Sequence, residues 1–260
     1  MVKEEINTAL NTKFIGNDIM LFDTVSSTMD IARQEIFNNA NEGLTIAAEH
    51  QTAGKGRRGK EWFCPKHKGL MITVILKPGI PQEKVHFIMA ISAIAIVEAI
   101  KHLLHIQCAV KWPNDIMVNN KKVAGILIEV HGSYKHIPTF SVGIGINVNT
   151  KKKELPENTI VPPTSLAIET GETINRTTLL KFLLQSMDTW YIFLKDNQYE
   201  YIRERWRNLC LAYNQRLTIK DKDISYNGMF VDITPSGDLI LELENNAQKI
   251  ISKEDIVLFP

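Results

Sequence analysis

The stretch Gln51-Thr-Ala-Gly-Lys-Gly-Arg-Arg-Gly-Lys-Glu-Trp62 gathers three glycines, four cations and a closing tryptophan into one short segment. Glycine lets backbone amides approach a ligand closely, and Lys55, Arg57, Arg58 and Lys60 supply charge that a phosphate or a carboxylate needs. Residues 54–60 also fit the GxxxxGK phosphate-loop pattern. That match fails at Glu61, which stands where the motif requires a magnesium-binding hydroxyl, and Trp62 and Pro65 do not open a phosphate-capping helix. The segment is therefore an anion-handling loop of another kind or a solvated basic surface, and its glycines and tryptophan favour the first.

A second constellation is Val110-Lys-Trp-Pro-Asn-Asp115, in which a lysine sits inside an apolar, strand-like context. Burying an unpaired lysine is costly, so Lys111 either points outward from an edge strand or faces an anionic ligand inside the fold. Third, Val123-Ala-Gly-Ile-Leu-Ile-Glu129 and Gly143-Ile-Gly-Ile-Asn147 place small residues on two strand-like runs. Such residues serve packing, or they floor a narrow slot for a flat apolar ligand beside the cationic loop.

The elements that must position these groups are legible from periodicity. Ser26-Ser-Thr28 is an N-cap signal for a helix through the low thirties. Residues 44–49 and 70–76 predict strands flanking the basic loop, and 108–112, 116–118, 123–130 and 140–148 predict further strands, with a hairpin turn at 119–122. The run 85–104 predicts a buried helix, because Glu98, Lys101 and His102 break it too often for a membrane span. Residues 151–163 are charged and proline-rich, a surface connection, and helices follow at 177–194 and 198–209. Beyond about Tyr213 short β-like runs alternate with Asp, Asn and Gly turns, which predicts a small all-β unit, so the expected domains are 1–212 and 213–260.

With 260 residues and a formal net charge of +1, the chain can bury one sizeable core plus a small companion domain, and its positive charge is placed locally rather than spread for coating nucleic acid. The N-terminal segment lacks a signal-peptide pattern, so a cytoplasmic protein without membrane association is expected. Three widely separated cysteines without CxxC spacing argue against a disulfide framework and against a zinc site.

Five motifs together carry a resemblance: Ser26-Ser-Thr28 before a helix, residues 49–62, Lys111-Trp-Pro-Asn-Asp115, Lys122-Val-Ala-Gly-Ile-Leu-Ile-Glu129 and Gly143-Ile-Gly-Ile-Asn147. In this order and spacing the chain closely resembles the biotin protein ligases over nearly its whole length. The resemblance implies an α+β catalytic domain related to class II aminoacyl-tRNA synthetases, followed by a small SH3-like β-barrel. It implies ATP-dependent formation of biotinyl-5'-AMP and transfer of the biotinyl group to a lysine of a biotin carboxyl carrier protein domain, with Mg2+ accompanying ATP.

By the same resemblance Arg57 and Lys111 are catalytic, and Ser27, Thr28, Met29, Gln51, Gly54, Lys55, Gly56, Gly125, Ile126 and Leu127 join them around biotin. Arg57, Arg58, Trp62, Asn114 and Asn147 are implied to contact the nucleotide, Trp62 against adenine and Asn147 at its edge, with Asp115 as an outer partner near magnesium. Two positions depart from the family: Lys55 replaces a common arginine, and Met29 a common asparagine. Only about two dozen residues precede the Ser-Ser-Thr motif, so no DNA-binding domain is expected, and many relatives form homodimers. The rival readings are a lipoate or octanoate ligase of the same superfamily, whose loop lacks this form, and a nucleic-acid-binding protein that stacks bases on Trp62.

Overall fold

The computed structural model describes residues 1, 10–132, 138–157, 159–221, 224–234, 236–251 and 256–258. In chain order its elements are β1 (Ile19–Phe22), α1 (Thr28–Phe37), β2 (Thr45–Ala48), β3 (Gly69–Leu76), α2 (Val85–Leu104), β4 (Ala109–Lys111), β5 (Asp115–Val118), β6 (Lys121–His131) and β7 (Thr139–Asn147). The helices α3 (Leu166–Thr170), α4 (Arg176–Lys195) and α5 (Tyr199–Leu209) follow. The strands β8 (Arg216–Asp221), β9 (Ile224–Ile233), β10 (Leu239–Leu243), β11 (Gln248–Ile251) and β12 (Ile256–Leu258) complete the chain.

The first seven strands form one sheet in the order β1-β2-β3-β7-β6-β5-β4, antiparallel except for the β1–β2 pair. Because side chains alternate across a strand, β3 sends Leu70, Ile72, Val74 and Leu76 into a core shared with α2, α4 and α5, while Ile75 meets Ala32 of α1 on the opposite face. The sheet is thus covered on both faces, with α1 alone on the face that will carry the site.

Helix α2 is long and apolar enough to cross a membrane by length and composition, yet it is the buried helix that was expected. Its apolarity has another cause: 67 % of the apolar window is buried inside the protein. Glu98, its one acidic residue, is where the other helices dock. It accepts from Trp190 Nε1 at 2.8 Å and from Arg205 Nε at 3.1 Å and NH2 at 2.9 Å, so the charge is compensated.

The remaining strands make a second sheet in the order β11-β10-β9-β8-β12, every pair antiparallel. It is fastened to the helical layer where Arg207 of α5 donates to Asp232 of β9, from Nε at 2.9 Å. Sequence periodicity did not signal β1, α3 or β12, each five residues or shorter. Such short elements show too little of a period to be recognised.

Candidate functional site

The chain between β1 and α1 runs beside the segment that leaves β2. Val25 and Gln51 form a parallel bridge, and Thr52 N and Ala53 N donate to Val25 O and Ser26 O, both at 2.9 Å. This pairing brings the Gln51 side chain to the start of α1. Its Oε1 accepts from Thr28 N at 2.7 Å and from Thr28 Oγ1 at 3.1 Å, while Thr73 Oγ1 of β3 donates to Thr28 Oγ1 at 2.8 Å. Ser27 caps the helix, its Oγ accepting from Met29 N at 3.3 Å. Ser27 and Thr28 are buried, so these hydroxyls form a fixed polar end to the site.

The basic loop folds back on itself as a narrow ribbon. Trp62 N donates to Gly54 O at 2.9 Å, Lys55 bridges Glu61, and Gly56 N donates to Lys60 O at 2.7 Å. Its tip, Arg57–Gly59, is a single tight turn in which Arg58 takes a left-handed φ of 56°. Gly54 does not line the cavity as expected for a biotin contact: a Cβ there would lie 2.3 Å from Trp62 O, so its bareness lets the two stems of the ribbon meet. The Lys55 ammonium is paired with Asp30 of α1. Burial alone would raise the Asp30 pKa, but the hydrogen bond and charge of Lys55 dominate together with Arg33 and Ser26, and hold it below the usual carboxylate value.

The floor is laid by strand register. Met71, Gly145 and Gly125 align across β3, β7 and β6, and Thr73, Gly143 and Leu127 align in the next row on the same face. The bare glycines are covered by side chains from the elements above. A Cβ on Gly145 would lie 2.3 Å from Trp62 Cε2, one on Gly125 3.2 Å from Trp62 Cζ3, and one on Gly143 2.7 Å from Met29 Sδ. Met29 therefore acts here as a packing thioether, which accounts physically for its departure from a polar residue.

At the far end β4 and β5 form a tight hairpin, with Lys111 opposite Asp115 and a cis Trp112–Pro113 peptide in its turn. Asn114 fastens the turn to β6: its Nδ2 donates to Ile126 O and Ile126 N donates back to Asn114 O, both at 3.0 Å. The Arg57 guanidinium donates to Asn114 Oδ1 at 3.0 Å, joining the loop tip to this hairpin. Lys122 Nζ lies 2.6 Å from Asp115 Oδ1, so this carboxylate carries a cationic partner at the hairpin. Asn147 donates to Thr164 O at 3.0 Å and is buried at the end of β7.

These groups surround one cavity of about 430 Å3. It is lined by Ser27, Thr28, Met29, Gln51, Lys55, Gly56, Arg57, Arg58, Trp62, Lys111, Asn114, Asp115, Gly125, Ile126, Leu127 and Asn147. Every residue expected around the ligands is therefore at this cavity except Gly54. Lys55, Arg57, Arg58, Lys60, Lys111 and Lys122 face only Glu61 and Asp115 among the lining carboxylates, an excess of positive charge suited to an anionic ligand. No group of three or more His, Cys, Asp or Glu able to hold a metal occurs among the described residues. A magnesium ion carried in on phosphate oxygens needs no such group.

Residues 21–149 match the biotin/lipoate A/B protein ligase family, and residues 213–258 match the biotin protein ligase C-terminal domain. The bifunctional ligase/repressor BirA of Bacillus spizizenii is 31 % identical over 252 residues, which span 97 % of this chain and 78 % of that protein. The chain belongs to the biotin protein ligase family. A biotin–acetyl-CoA-carboxylase ligase of Paracoccus denitrificans is 30 % identical over 80 % of this chain and 88 % of its own length. In fold, the biotin protein ligase from Aquifex aeolicus in complex with biotin and ATP superposes with a TM-score of 0.79 at 24 % identity, covering 94 % of this chain and 99 % of that one.

In this biotin protein ligase family member the cavity also has a wall that sequence reasoning missed. Pro156, Thr159, Ile160, Val161 and Pro163 line it, within a tract whose described residues lie at the surface as expected but were not expected at the cavity. The reason is a bridge to β6: Lys122 N donates to Pro162 O and Thr164 N to Lys122 O, both at 2.8 Å. Ile160-Val161 inside an otherwise polar tract was the available signal, and Ile160 is 74 % exposed at the cavity mouth. The three cysteines are free, and burial pushes the Cys64 and Cys210 thiols up to about 11, so they stay protonated and unreactive.

Proposed function

We propose that this protein activates biotin with ATP to biotinyl-5'-AMP and then transfers the biotinyl group to a lysine of a biotin carboxyl carrier domain. The observation that carries this reading is the convergence of Arg57, Lys111, the Ser27–Thr28–Gln51 polar end and the glycine floor on one cationic cavity, in a chain that belongs to this ligase family.

In the first step a carboxylate oxygen of biotin bonds to the α-phosphorus as the bond to pyrophosphate breaks. Two anions must approach, and in a partly enclosed site their repulsion is offset only by nearby cations. Lys111 is suited to the carboxyl and α-phosphoryl oxygens, and Arg57, held by Asn114 at 3.0 Å, to the phosphoryl group. Thr28 and Gln51 suit the neutral ureido ring, which needs directed hydrogen bonds, with Ser27 beside them and Gly56, Gly125, Ile126 and Leu127 enclosing biotin. Trp62 and Asn147 suit the adenine, with Arg58 near the phosphates. Mg2+ accompanying ATP would neutralise phosphate charge, with Asp115 as its outer partner among the cavity residues.

In the second step a neutral lysine amine attacks the acyl carbon and the bond to the adenylate oxygen breaks, releasing AMP, while the amine's proton leaves to solvent. Water must be excluded between the steps, and the ribbon 54–62 standing over the floor is the element suited to do so. Three free cysteines support a reducing compartment such as the cytoplasm. Incubation with biotin, ATP, Mg2+ and an isolated biotin carrier domain should add one biotinyl group, read by intact-protein mass. An unchanged acceptor mass across carrier domains of several carboxylases would refute transfer.

A further inference from the structure

Both residues that flank Lys111 are held by the C-terminal part of the chain. On one side, Val110 forms a bridge with Cys210 and its carbonyl accepts from Leu211 N at 2.9 Å. On the other, Trp112, only 3 % exposed, donates its indole N–H to Gly237 O at 3.1 Å across 125 positions of sequence. Gly237 belongs to a hydrogen-bonded turn. Thr234 N donates to Asp238 O and Gly237 N to Thr234 O, both at 2.8 Å, and Ser236 Oγ donates to Asp238 Oδ2 at 2.7 Å.

The turn is also seated against α2. Gly237 has a φ of +89°, and a Cβ there would lie 2.9 Å from His86 Cβ, so glycine is required for the close approach. His86 is itself buried and meets Trp206 edge-on at 5.6 Å. The hairpin bearing Lys111 is therefore gripped from two directions: Asn114 by β6 on the cavity side, and Val110 and Trp112 by the chain's C-terminal part.

We propose that the C-terminal sheet serves as a brace that sets the position of Lys111 in the cavity, with Trp112 as the positioning residue and Gly237 O as its anchor. The proposal rests on Lys111 being the cation of the adenylation step. Its physical basis is that displacing a charged group by about 1 Å from its productive position costs up to about 100-fold in rate. A buried N–H bonded to a packed carbonyl restrains its neighbour more than solvent contact does.

Trp112→Phe keeps an aromatic ring and deletes only the donor, and Gly237→Ala disturbs the same bond from the acceptor side. In the full chain, adenylate formation is followed by pyrophosphate release at saturating ATP, with thermal melting of each variant in parallel. We expect kcat to fall about 10-fold in both variants while KM for biotin stays within about twofold. Lys111→Ala is run alongside. If it retains normal kcat, the role given to Lys111 fails. If it is inactive while Trp112→Phe and Gly237→Ala keep normal kcat, the brace fails alone. Loss of folded protein in both variants, with kcat per folded molecule unchanged, assigns the bond to stability only and likewise overturns the proposal.

Discussion

Arg57 reaches from the tip of the glycine-rich ribbon to the Lys111 hairpin, its NH1 donating to Asn114 Oδ1 at 3.0 Å. This hydrogen bond joins the loop that bears Arg57 to the hairpin that bears Lys111, across 57 positions of sequence. A bond to a charged donor in a partly buried setting contributes about 1.5–3 kcal/mol, and the lid role proposed for the ribbon makes the loss of this bond testable.

Arg57→Gly should therefore release biotinyl-adenylate at least about 10-fold faster, 1.4 kcal/mol being a factor of ten, while the cavity floor stays intact. Trapping the intermediate and following its loss by filtration measures this. An unchanged intermediate lifetime would remove the lid role from Arg57.

The indole of Trp62 rests on Gly145 and Gly125, with any Cβ at Gly145 falling 2.3 Å from Cε2. Gly145→Val must displace the ring, and if Trp62 flanks the adenine, KM for ATP should rise about 10-fold with a smaller change for biotin. Equal effects on both substrates would place Trp62 elsewhere in the site.

Much of this architecture was readable beforehand. The buried strands showed as β-branched runs and the long α2 as an apolar block, and the site residues lay in motifs whose types suit anion chemistry. What was hidden depends on contacts remote in sequence. Gly54 was expected at the ligand by family resemblance, yet the close neighbour its missing side chain admits is the Trp62 carbonyl. The wall formed by Pro156, Thr159, Ile160, Val161 and Pro163 was hidden because its recruitment depends on pairing with Lys122, which leaves no periodic trace. The apolarity of α2 signals burial or a membrane equally, and only the packed helices α4 and α5 decide between them.

Lys55 departs from the arginine common in the family, and its ammonium pairs with Asp30 at the edge of the cavity. Lys55→Ala should leave KM for biotin within about threefold and, because the pair is partly exposed, change stability by no more than about 1 kcal/mol. A 10-fold or greater rise in KM with an unchanged melting temperature would show that Lys55 binds ligand through its side chain.

Acid stability should depend on Glu49, buried at the end of β2. Burial would raise its pKa, but Arg176 NH1 at 2.6 Å, the amino group of Met1 and His67 together bring it down from 4.5 to about 2. A depressed folded-state pKa means the contribution is present above pH 4.5 and is lost as pH falls toward about 2. The shift corresponds to about 3 kcal/mol. Urea unfolding between these limits should show that loss, and Glu49→Gln should flatten it. A parallel decline in the variant would assign the acid sensitivity to other groups.

The decisive measurement is exchange of labelled pyrophosphate into ATP by the purified protein, with biotin or lipoate as the only acid supplied, alongside Lys111→Ala. Biotin should drive exchange, lipoate should give only background, and Lys111→Ala should lose exchange while melting at a temperature close to that of the unsubstituted protein. Exchange with lipoate but not with biotin, or normal biotin-dependent exchange in Lys111→Ala, would contradict respectively the activation of biotin in this cavity and the place of Lys111 at its centre.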